Sequence, residues 1–324
     1  MNTVLILGAN GRFGQAATQA FAAAGWRVLA QLRRAPTQAL PPGAVAVAVP
    51  LADTADLVAQ AVGTSTVVHA INPIYTRWDQ EAMPALHQGL AVAQGLKALF
   101  MLPGNVYNFG AGMPALLRED TPQAAGHAKG RLRREMEHTL RDRADQGLRS
   151  VVIRAGDFFG GGTGSWLDQV VVKSLASGKL FYPGPLDRVH AWAYLPDLAR
   201  TFAAVAARPP QSAFENLHFA GHAVTGEQLL QATEAAAATL GLRPETGFKR
   251  GAMPWGLIRA VGLVYPLWRE LARMRYLWQV PHALDGSRLA MHTALPPATP
   301  LPQALTQALI DLGLAEAAPR LAHS

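Results

Sequence analysis

The sequence predicts an α/β fold: a doubly wound parallel sheet with a small C-terminal lobe on its substrate side. Strand and helix patterns alternate along the first half of the chain, and a glycine-rich turn follows the first strand. Six short apolar runs are predicted to be strands: Val4–Leu7, Val28–Leu32, Val45–Val49, Val67–Ala70, Leu99–Leu102 and Val151–Arg154. Three stretches between them are predicted to be helices: Asp53–Val62, Gln80–Leu96 and Ala128–Arg143. This alternation is typical of βαβ units, whose ligands bind at the carboxyl ends of the strands.

The turn after the first strand has the spacing of a dinucleotide site. Gly8, Gly11 and Gly14 follow an apolar run and open a helix of small residues. The first glycine permits a tight turn, the second a close approach to a pyrophosphate, and the third close packing of the helix on the sheet. The segment therefore predicts a set of cofactor-binding residues: Gly8, Asn10, Gly11, Arg12, Phe13 and Gly14.

The end of the second strand indicates which dinucleotide binds. An NAD site usually places an acid roughly twenty residues past the glycines, to accept from the ribose 2′-OH. Leu32 or Arg33 stands at that position, and Arg34 follows. A guanidinium there would hold a 2′-phosphate through paired donors. Arg33 and Arg34 are therefore predicted to favour NADP(H); the alternative is two solvated arginines at a strand end.

Composition excludes several classes of function. The chain has 324 residues, of which 50% are hydrophobic, and no cysteine. Disulfides, thiolate catalysis and thiolate metal sites are therefore excluded. No apolar stretch reaches the roughly 18 residues of a membrane span, and the first strand begins at Val4, which leaves no room for a signal peptide. We expect a cytoplasmic protein with no membrane partner.

The net charge of +7 raises the question of nucleic acid. Arginines cluster between Arg131 and Arg149, but acidic residues are interleaved with them and aromatic residues for base stacking are missing. This segment is interpreted as a solvated helix face, so no nucleic-acid partner is expected. His218 and His222 lie four apart on a predicted strand, a spacing that does not indicate a metal site, and none is predicted.

The C-terminal half has weaker patterns. Residues 1–160 are predicted to form the dinucleotide-binding core, and residues 161–324 the remaining sheet elements with a mostly helical substrate lobe, in one integrated fold. The aromatic and basic stretch 251–280 fits a cap over the site and simple core packing equally well. Asp187, Arg188 and His190 are expected on the substrate side, where a loop explains them as well. A helix from Pro297 to Leu312 is predicted to stop at Gly313, and the residues after it to fray.

Four segments resemble the NAD-dependent epimerase/dehydratase family, the extended branch of the short-chain dehydrogenase/reductases, over nearly the whole chain. They are Gly8–Gly14, Val67–Ala70, Val152–Gly160 and His190–Ala199. The resemblance implies a Rossmann fold, and it implies that the chain after the fourth strand, with Ala70 and Asn72, runs past the nicotinamide ribose. It also implies that Lys129, which matches the lysine of the family's Tyr-x-x-x-Lys motif, holds the ribose hydroxyls.

The departures from the family pattern concern its catalytic hydroxyls. Pro103 and Gly104 occupy the position of the family's serine, and Ala125 that of its tyrosine. The serine ordinarily donates to the substrate oxygen and the tyrosine transfers the proton. Tyr107 is the best remaining hydroxyl near the end of the fifth strand, so Lys129 and Tyr107 are predicted as catalytic residues. His127 is interpreted as a surface residue.

Two functions fit these observations. One is an NADP(H)-dependent oxidoreductase or epimerase-like enzyme that acts on a small carbonyl or nucleotide-sugar compound. The other is a non-catalytic module that senses NADP(H) or binds a protein. The resemblance also implies a homodimer that forms through the helix carrying Lys129 and its neighbour.

Overall fold

The computed structural model of the chain describes residues 1–36 and 38–315. Its strands, in chain order, are β1 (Thr3–Leu7), β2 (Arg27–Gln31), β3 (Ala44–Val47), β4 (Thr66–His69), β5 (Leu99–Gly104), β6 (Leu116–Leu117), β7 (Ser150–Arg154), β8 (Asp157–Phe159), β9 (Lys179–Tyr182), β10 (Val189–Tyr194), β11 (Phe214–His218), β12 (His222–Thr225), β13 (Lys249–Ala252) and β14 (Ala283–Leu284). Its α-helices are α1 (Arg12–Ala23), α2 (Thr54–Gln60), α3 (Trp78–Leu96), α4 (Ala128–Ala144), α5 (Leu195–Ala207), α6 (Gly226–Thr239), α7 (Trp255–Val261), α8 (Pro266–Arg273), α9 (Tyr276–Gln279), α10 (Ser287–His292) and α11 (Leu301–Asp311).

The main sheet is parallel throughout, with the strand order β11-β7-β5-β4-β1-β2-β3. The chain winds outward from β1 through β2 and β3, then returns to the other side of β1 at β4. Leu7 pairs with Gln31 on one side and with His69 on the other, so β1, β2 and β4 end at one level. The change of winding direction between β1 and β4 opens a crevice at their carboxyl ends, where open α/β sheets bind ligands.

Helices cover both faces of this sheet. Helices α1 and α5 pack together on one face, where Phe13 and Phe202 are in edge-to-face contact at 4.8 Å. Helices α2, α3 and α4 cover the other face, where Leu57, Leu90 and Leu140 are fully buried. Strands buried on both sides need apolar residues at every position, which explains the continuous apolar runs in the sequence.

The second half of the chain builds the lobe and completes the sheet. Strand β11 belongs to the main sheet and helix α5 packs on one of its faces, while β8, β10 and β12 form a separate small sheet. The lobe also contains the pair β9 and β13, so it includes short strands as well as helices. Its core is aromatic: Trp192, Trp278 and Tyr182 are each at most 2% exposed.

The predicted doubly wound fold is confirmed, and the predicted elements are present with small shifts at their ends. The last helix begins at Leu301, later than the predicted Pro297, because Pro300 and Pro302 restrict the residues before them. It ends as predicted, with Gly313 in the left-handed region at φ 69°. The fraying expected beyond it concerns residues 316–324, which lie outside the described chain. In the described chain no helix is long and apolar enough to span a membrane.

Candidate functional site

The turn between β1 and α1 has the geometry that its glycines predict. Gly8 has φ +80°, and a Cβ there would lie 2.8 Å from Ile71 Cγ1. A Cβ on Gly14 would lie 2.3 Å from the Gly8 carbonyl oxygen, so a glycine is needed for α1 to approach β1 this closely. At Gly11 the backbone is extended, and a Cβ would meet only Gly8 O at 3.3 Å and Ala70 O at 3.7 Å. The space in front of Gly11 is therefore open to a ligand.

The first turn of α1 offers free donors to that space. Gly11 is the N-cap residue, no side chain caps the helix, and no acidic residue lies in the first turn. The backbone N–H groups at a helix N-terminus lack intrahelical partners and attract anions. The amide of Gly8 is instead satisfied by the side chain of Gln31, which accepts at 3.0 Å. The turn thus offers donors that could hold a pyrophosphate.

Arg12 fixes a second loop against this turn. Its guanidinium donates to the carbonyl oxygens of Gly160 and Gly164, both at 3.0 Å. Burial lowers the pKa of Arg12, and Asp168 nearby opposes this effect. The Arg12 side chain therefore positions the glycine-rich loop after β8, and its backbone N–H belongs to the helix N-terminus.

The end of β2 carries no carboxylate and two exposed arginines. Leu32, at the position of the usual acid, is 4% exposed and packs in the core. Arg33 and Arg34 are exposed beside it. Asn10 donates to the carbonyl oxygen of Ala35 at 3.1 Å, which ties the arginine loop to the glycine turn. The Asn10 side chain therefore holds together the two segments predicted to bind the cofactor.

The segment after β4 connects the glycine turn with Lys129. Ala70 and Ile71 contact the glycine turn, the exposed Asn72 follows, and the carbonyl oxygen of Tyr75 accepts from Lys129 Nζ at 2.7 Å. The residues that are predicted to bind the cofactor in these two regions therefore lie along one edge of the sheet.

Lys129 is a buried residue. It is 3% exposed, and its ammonium lies 3.9 Å from the ring centroid of Tyr75 and 5.3 Å from that of Trp78. The carboxylate of Glu270, from α8 of the lobe, lies 3.6 Å from Nζ. A buried cation needs such partners. Lys129 thus meets the lobe at the carboxyl edge of the sheet.

The position of the family's serine is occupied by backbone and a cation. Pro103 is the residue before the last in β5, and its carbonyl oxygen accepts from Arg133 at 3.3 Å. The Arg133 guanidinium stacks 4.8 Å from the Trp78 ring centroid, and burial lowers its pKa to about 10. The expectation of a solvated arginine face on α4 is therefore wrong for Arg133. It lies one turn after Lys129, on the same inward face of the helix.

Three tyrosines and one aspartate form a cluster beside Lys129, which we call the tyrosine–aspartate cluster. It consists of Tyr75, Tyr107, Tyr276 and Asp157. Burial raises the pKa of each tyrosine, and the charge of Asp157 raises all three further. The phenols are thus neutral donors at ordinary pH. Tyr107 was predicted from the sequence; the other members were not, although Asp157 lies inside a segment that matches the family.

His127 is part of this region, so its interpretation as a surface residue is wrong. It caps α4, because its Nδ1 accepts from the Gly130 amide at 3.2 Å. The proton of the neutral ring is therefore on Nε2, which donates to Tyr276 Oη at 2.8 Å. Burial, then the charge of Arg131, lowers the pKa of His127 and keeps the ring neutral.

His190 lies in a strand rather than the expected loop. It is 2% exposed in β10, its ring stacks on Trp278 at 4.0 Å, and its Nε2 lies 2.8 Å from Asp157 Oδ2. Asp187 and Arg188 are exposed and pair with each other at 3.6 Å, away from this contact. Only His190 of the three thus reaches the tyrosine–aspartate cluster. Sequence patterns gave no signal for this contact, because its partners lie 33 residues apart.

His218 and His222 have separate structural roles. His218 is fully buried in β11, with Nδ1 3.1 Å from the carbonyl oxygen of Leu117. His222 lies in β12 against the ring of Phe159. Among the described residues no group of three or more potential ligands could hold a metal ion.

No family model and no curated protein sequence matches the chain. Solved structures match over nearly its whole length. The UDP-glucose 4-epimerase of Stenotrophomonas maltophila, with bound NAD and a formylated UDP-arabinopyranose, has a TM-score of 0.73 at 15% identity and covers 95% of this chain and 97% of its own. The Bordetella bronchiseptica enzyme WbmH, in complex with NAD⁺, has a TM-score of 0.70 at 19% identity, with coverage of 96% and 98%. The UDP-Glc/GlcNAc 4-epimerase of Campylobacter jejuni has a TM-score of 0.69 at 14% identity, with coverage of 96% and 99%.

At this level of identity the likeness concerns the fold. It extends through the lobe as well as the sheet, since both chains are covered almost completely. The chain has the fold of these UDP-sugar 4-epimerase structures.

Proposed function

We propose that the chain binds NADP(H) and is an oxidoreductase or epimerase-like enzyme that acts on a small carbonyl or nucleotide-sugar compound. One observation carries the proposal. The open space in front of Gly11 and the buried ammonium of Lys129 lie at the two ends of one segment, Ala70–Tyr75, along the carboxyl edge of the sheet. The solved structures of like fold that hold NAD support a nicotinamide dinucleotide.

The residues present fit such a cofactor. The glycine turn, with Asn10, Arg12 and Phe13, would bind the pyrophosphate, and Ala70, Asn72 and Lys129 would hold the nicotinamide ribose. When bound, the dinucleotide supplies hydride transfer. Two observations support NADP(H) over NAD(H). Leu32 stands where an NAD site usually has an acid, and Arg33 and Arg34 are exposed beside it. A guanidinium binds a phosphate through charge-assisted hydrogen bonds.

The chain's own residues would supply proton chemistry on the substrate side. Lys129 orients the ribose and adds positive charge, and Tyr107 presents a neutral phenol as proton donor. Tyr276 joins Tyr107 as a second candidate, because its oxygen accepts from His127 and its own proton is left to donate elsewhere. These hydroxyls would replace those missing at Pro103 and Ala125.

The alternative is a non-catalytic module that senses NADP(H) or binds a protein. Pro103 and Ala125 favour it, since both catalytic hydroxyls of the family pattern are missing. The polar tyrosine–aspartate cluster, enclosed by the aromatic lobe, favours the enzyme. A homodimer through α3 and α4 remains part of the proposal, and sedimentation of the purified protein tests it.

Cofactor titration followed by a substrate screen tests the function. We expect NADPH to bind ten- to a hundredfold more tightly than NADH, since a charge-assisted contact is worth about 1.5–3 kcal/mol. Arg33→Ala should remove this preference, whereas Arg27→Ala, an exposed arginine at the opposite end of β2, should keep it. Equal affinities in the wild type would contradict the NADP(H) assignment. NADPH binding without turnover of any carbonyl or nucleotide-sugar compound would favour the sensor.

A further inference from the structure

The helical hairpin of α7 and α8 concentrates exposed apolar side chains at one place. Fourteen large hydrophobic residues are exposed in the described chain, and six of them lie between Leu257 and Trp268. They are Leu257 (59% exposed), Leu263 (83%), Val264 (76%), Tyr265 (61%), Leu267 (47%) and Trp268 (38%). We call these six residues the hairpin patch. Exposed apolar residues that are concentrated in one short segment of a folded chain indicate an interaction site, whereas scattered single residues do not.

The segment that carries the hairpin patch has an excess of basic residues. Residues 249–280 contain six basic residues and a single acid, Glu270. Arg259 and Arg269 are exposed, and neither forms an ion pair within the part of the chain that the structure describes. Glu270 does not neutralise them, because it lies against Lys129 at 3.6 Å and Arg273 at 2.7 Å.

The fold holds the patch outward. The inner side of the hairpin is anchored by Trp255 and Ile258, which are buried in the lobe, and by the contact of Glu270 with Lys129. The connection between the two helices, where Leu263 and Val264 lie, is the most exposed part. The hairpin therefore presents an aliphatic tip, with Tyr265 and Trp268 beside it and arginines around it.

We propose that this hairpin docks the protein on the surface of an anionic lipid bilayer. Leucine and valine enter the acyl boundary, tyrosine and tryptophan suit the headgroup level, and arginines attract anionic lipids. Docking at the interface needs only a short amphipathic segment. The proposal does not depend on the cofactor or the reaction.

A second copy of the chain fits the patch less well. In a two-fold interface the same surface faces itself. Arg259 and Arg269 of one copy would then approach those of the other with no acidic residue to compensate them. An anionic surface offers the complementary charge that a second copy lacks.

Vesicle flotation of the full chain tests the proposal. The probes are vesicles of phosphatidylcholine alone and of an equimolar mixture with phosphatidylglycerol. We expect binding to the mixed vesicles only, and a fall in binding as salt is added. The variant L263E/V264E should lower the partition coefficient at least tenfold. The variant R259Q/R269Q should lower it by about 25-fold at low salt, since each arginine near an anionic surface contributes roughly fivefold.

The matched control is V62E/M291E, which places two acids at equally exposed apolar positions outside the hairpin, 74% and 81% exposed in the wild type. It should bind vesicles as the wild type does, and circular dichroism should show that all variants fold. Failure of the wild type to float with the mixed vesicles would overturn the proposal, as would equal losses in L263E/V264E and V62E/M291E. So would a dimer in sedimentation that L263E/V264E dissociates, because the patch would then be a protein interface.

Discussion

His127 and Tyr276 are joined by a 2.8 Å hydrogen bond between Nε2 and Oη, across the boundary between the sheet domain and the lobe. His127 lies two residues after Ala125, the position where the family pattern has its tyrosine. A phenol is thus brought to this region from the lobe, 149 residues away in sequence. The hydroxyl of the family's tyrosine is missing at Ala125, and Tyr276 of the lobe brings a hydroxyl to the same region.

The same boundary carries the contact between Glu270 and Lys129. Both contacts lie at the carboxyl edge of the sheet, where α8 also packs against the turn Tyr75–Arg77. A ligand that engages Lys129 must therefore compete with, or rearrange, the contacts of the lobe. If the cofactor engages Lys129 as proposed, its binding would be coupled to the position of the lobe.

Substitution of Gly11 by valine should abolish cofactor binding and leave the fold intact. The backbone of Gly11 is extended, so valine can adopt its dihedral angles, although the new Cβ would lie a tight 3.3 Å from Gly8 O. The rest of the valine side chain would fill the open space at the start of α1. NADPH fluorescence titration measures binding, and urea denaturation measures stability. A folded Gly11→Val protein that binds NADPH normally would show that the nucleotide binds elsewhere.

Gly14→Ala is the matched control, with the opposite result expected for stability. Its Cβ would lie 2.3 Å from Gly8 O, which forces α1 away from β1. Overpacking of this kind costs about 1–3 kcal/mol of the free energy of unfolding. Equal stability of Gly14→Ala and the wild type would contradict the close approach of helix and strand.

Lys129→Met should weaken NADPH binding by about 1.5–3 kcal/mol, or ten- to a hundredfold, through loss of one charge-assisted contact. If the chain is an enzyme, turnover should fall further than affinity, because Lys129 also orients the reacting groups. Lys173→Met, at an exposed position, serves as the control. NADPH affinity that is the same in Lys129→Met and the wild type would remove Lys129 from the cofactor site.

Stability should fall as the pH drops from about 6.5 towards 4. Burial lowers the pKa of His69 to about 3, of His218 to about 4 and of His282 to about 4. In this window the unfolded chain binds a proton at each histidine and the native chain does not, so acid favours unfolding. Each histidine contributes a slope of about 1.4 kcal/mol per pH unit. Urea denaturation at a series of pH values measures the sum.

His282→Gln should reduce this slope by the share of one histidine, because glutamine can still donate to the carbonyl oxygen that His282 Nδ1 approaches at 3.0 Å. His87→Gln, the same substitution at an exposed position, serves as the control. If the free energy of unfolding did not change between pH 6.5 and 5, the buried histidines would be protonated in the native state.

The strands and the glycine turn could be predicted from the sequence because the signals for each of them are local. Val4–Leu7 and Gly8–Gly14 carry their strand, turn and helix signals within a dozen residues, and the structure shows each of them. Lys129 was predicted as a site residue from the family's Tyr-x-x-x-Lys motif, whose spacing is also short. Its burial could not be predicted from the sequence, since the charged pattern of α4 indicates a solvated helix.

The contacts of the lobe could not be predicted, because they join residues far apart in the chain. Asp157 meets His190, and Arg133 turns inward beneath Trp78, through tertiary packing that leaves no periodic pattern. The stretch 251–280 was ambiguous between cap and core for the same reason. Trp255 and Trp278 are buried in the core of the lobe, while Glu270 and Tyr276 of the same stretch contact Lys129 and His127 at the edge of the sheet.

Tyr107→Phe should remove most of any carbonyl-reducing or epimerase-like activity while NADPH affinity stays the same. Burial raises the pKa of Tyr107 well above its ordinary value, so the phenol keeps its proton for donation, and loss of a general acid lowers kcat by about a hundredfold or more. Tyr276→Phe separates the two candidate donors. If Tyr107 donates alone, Tyr276→Phe keeps most of the activity, and Tyr265→Phe, 61% exposed, keeps all of it. A larger loss of kcat in Tyr276→Phe than in Tyr107→Phe would identify the lobe tyrosine, held by His127, as the donor. Full activity in both variants would exclude the tyrosine–aspartate cluster from proton transfer.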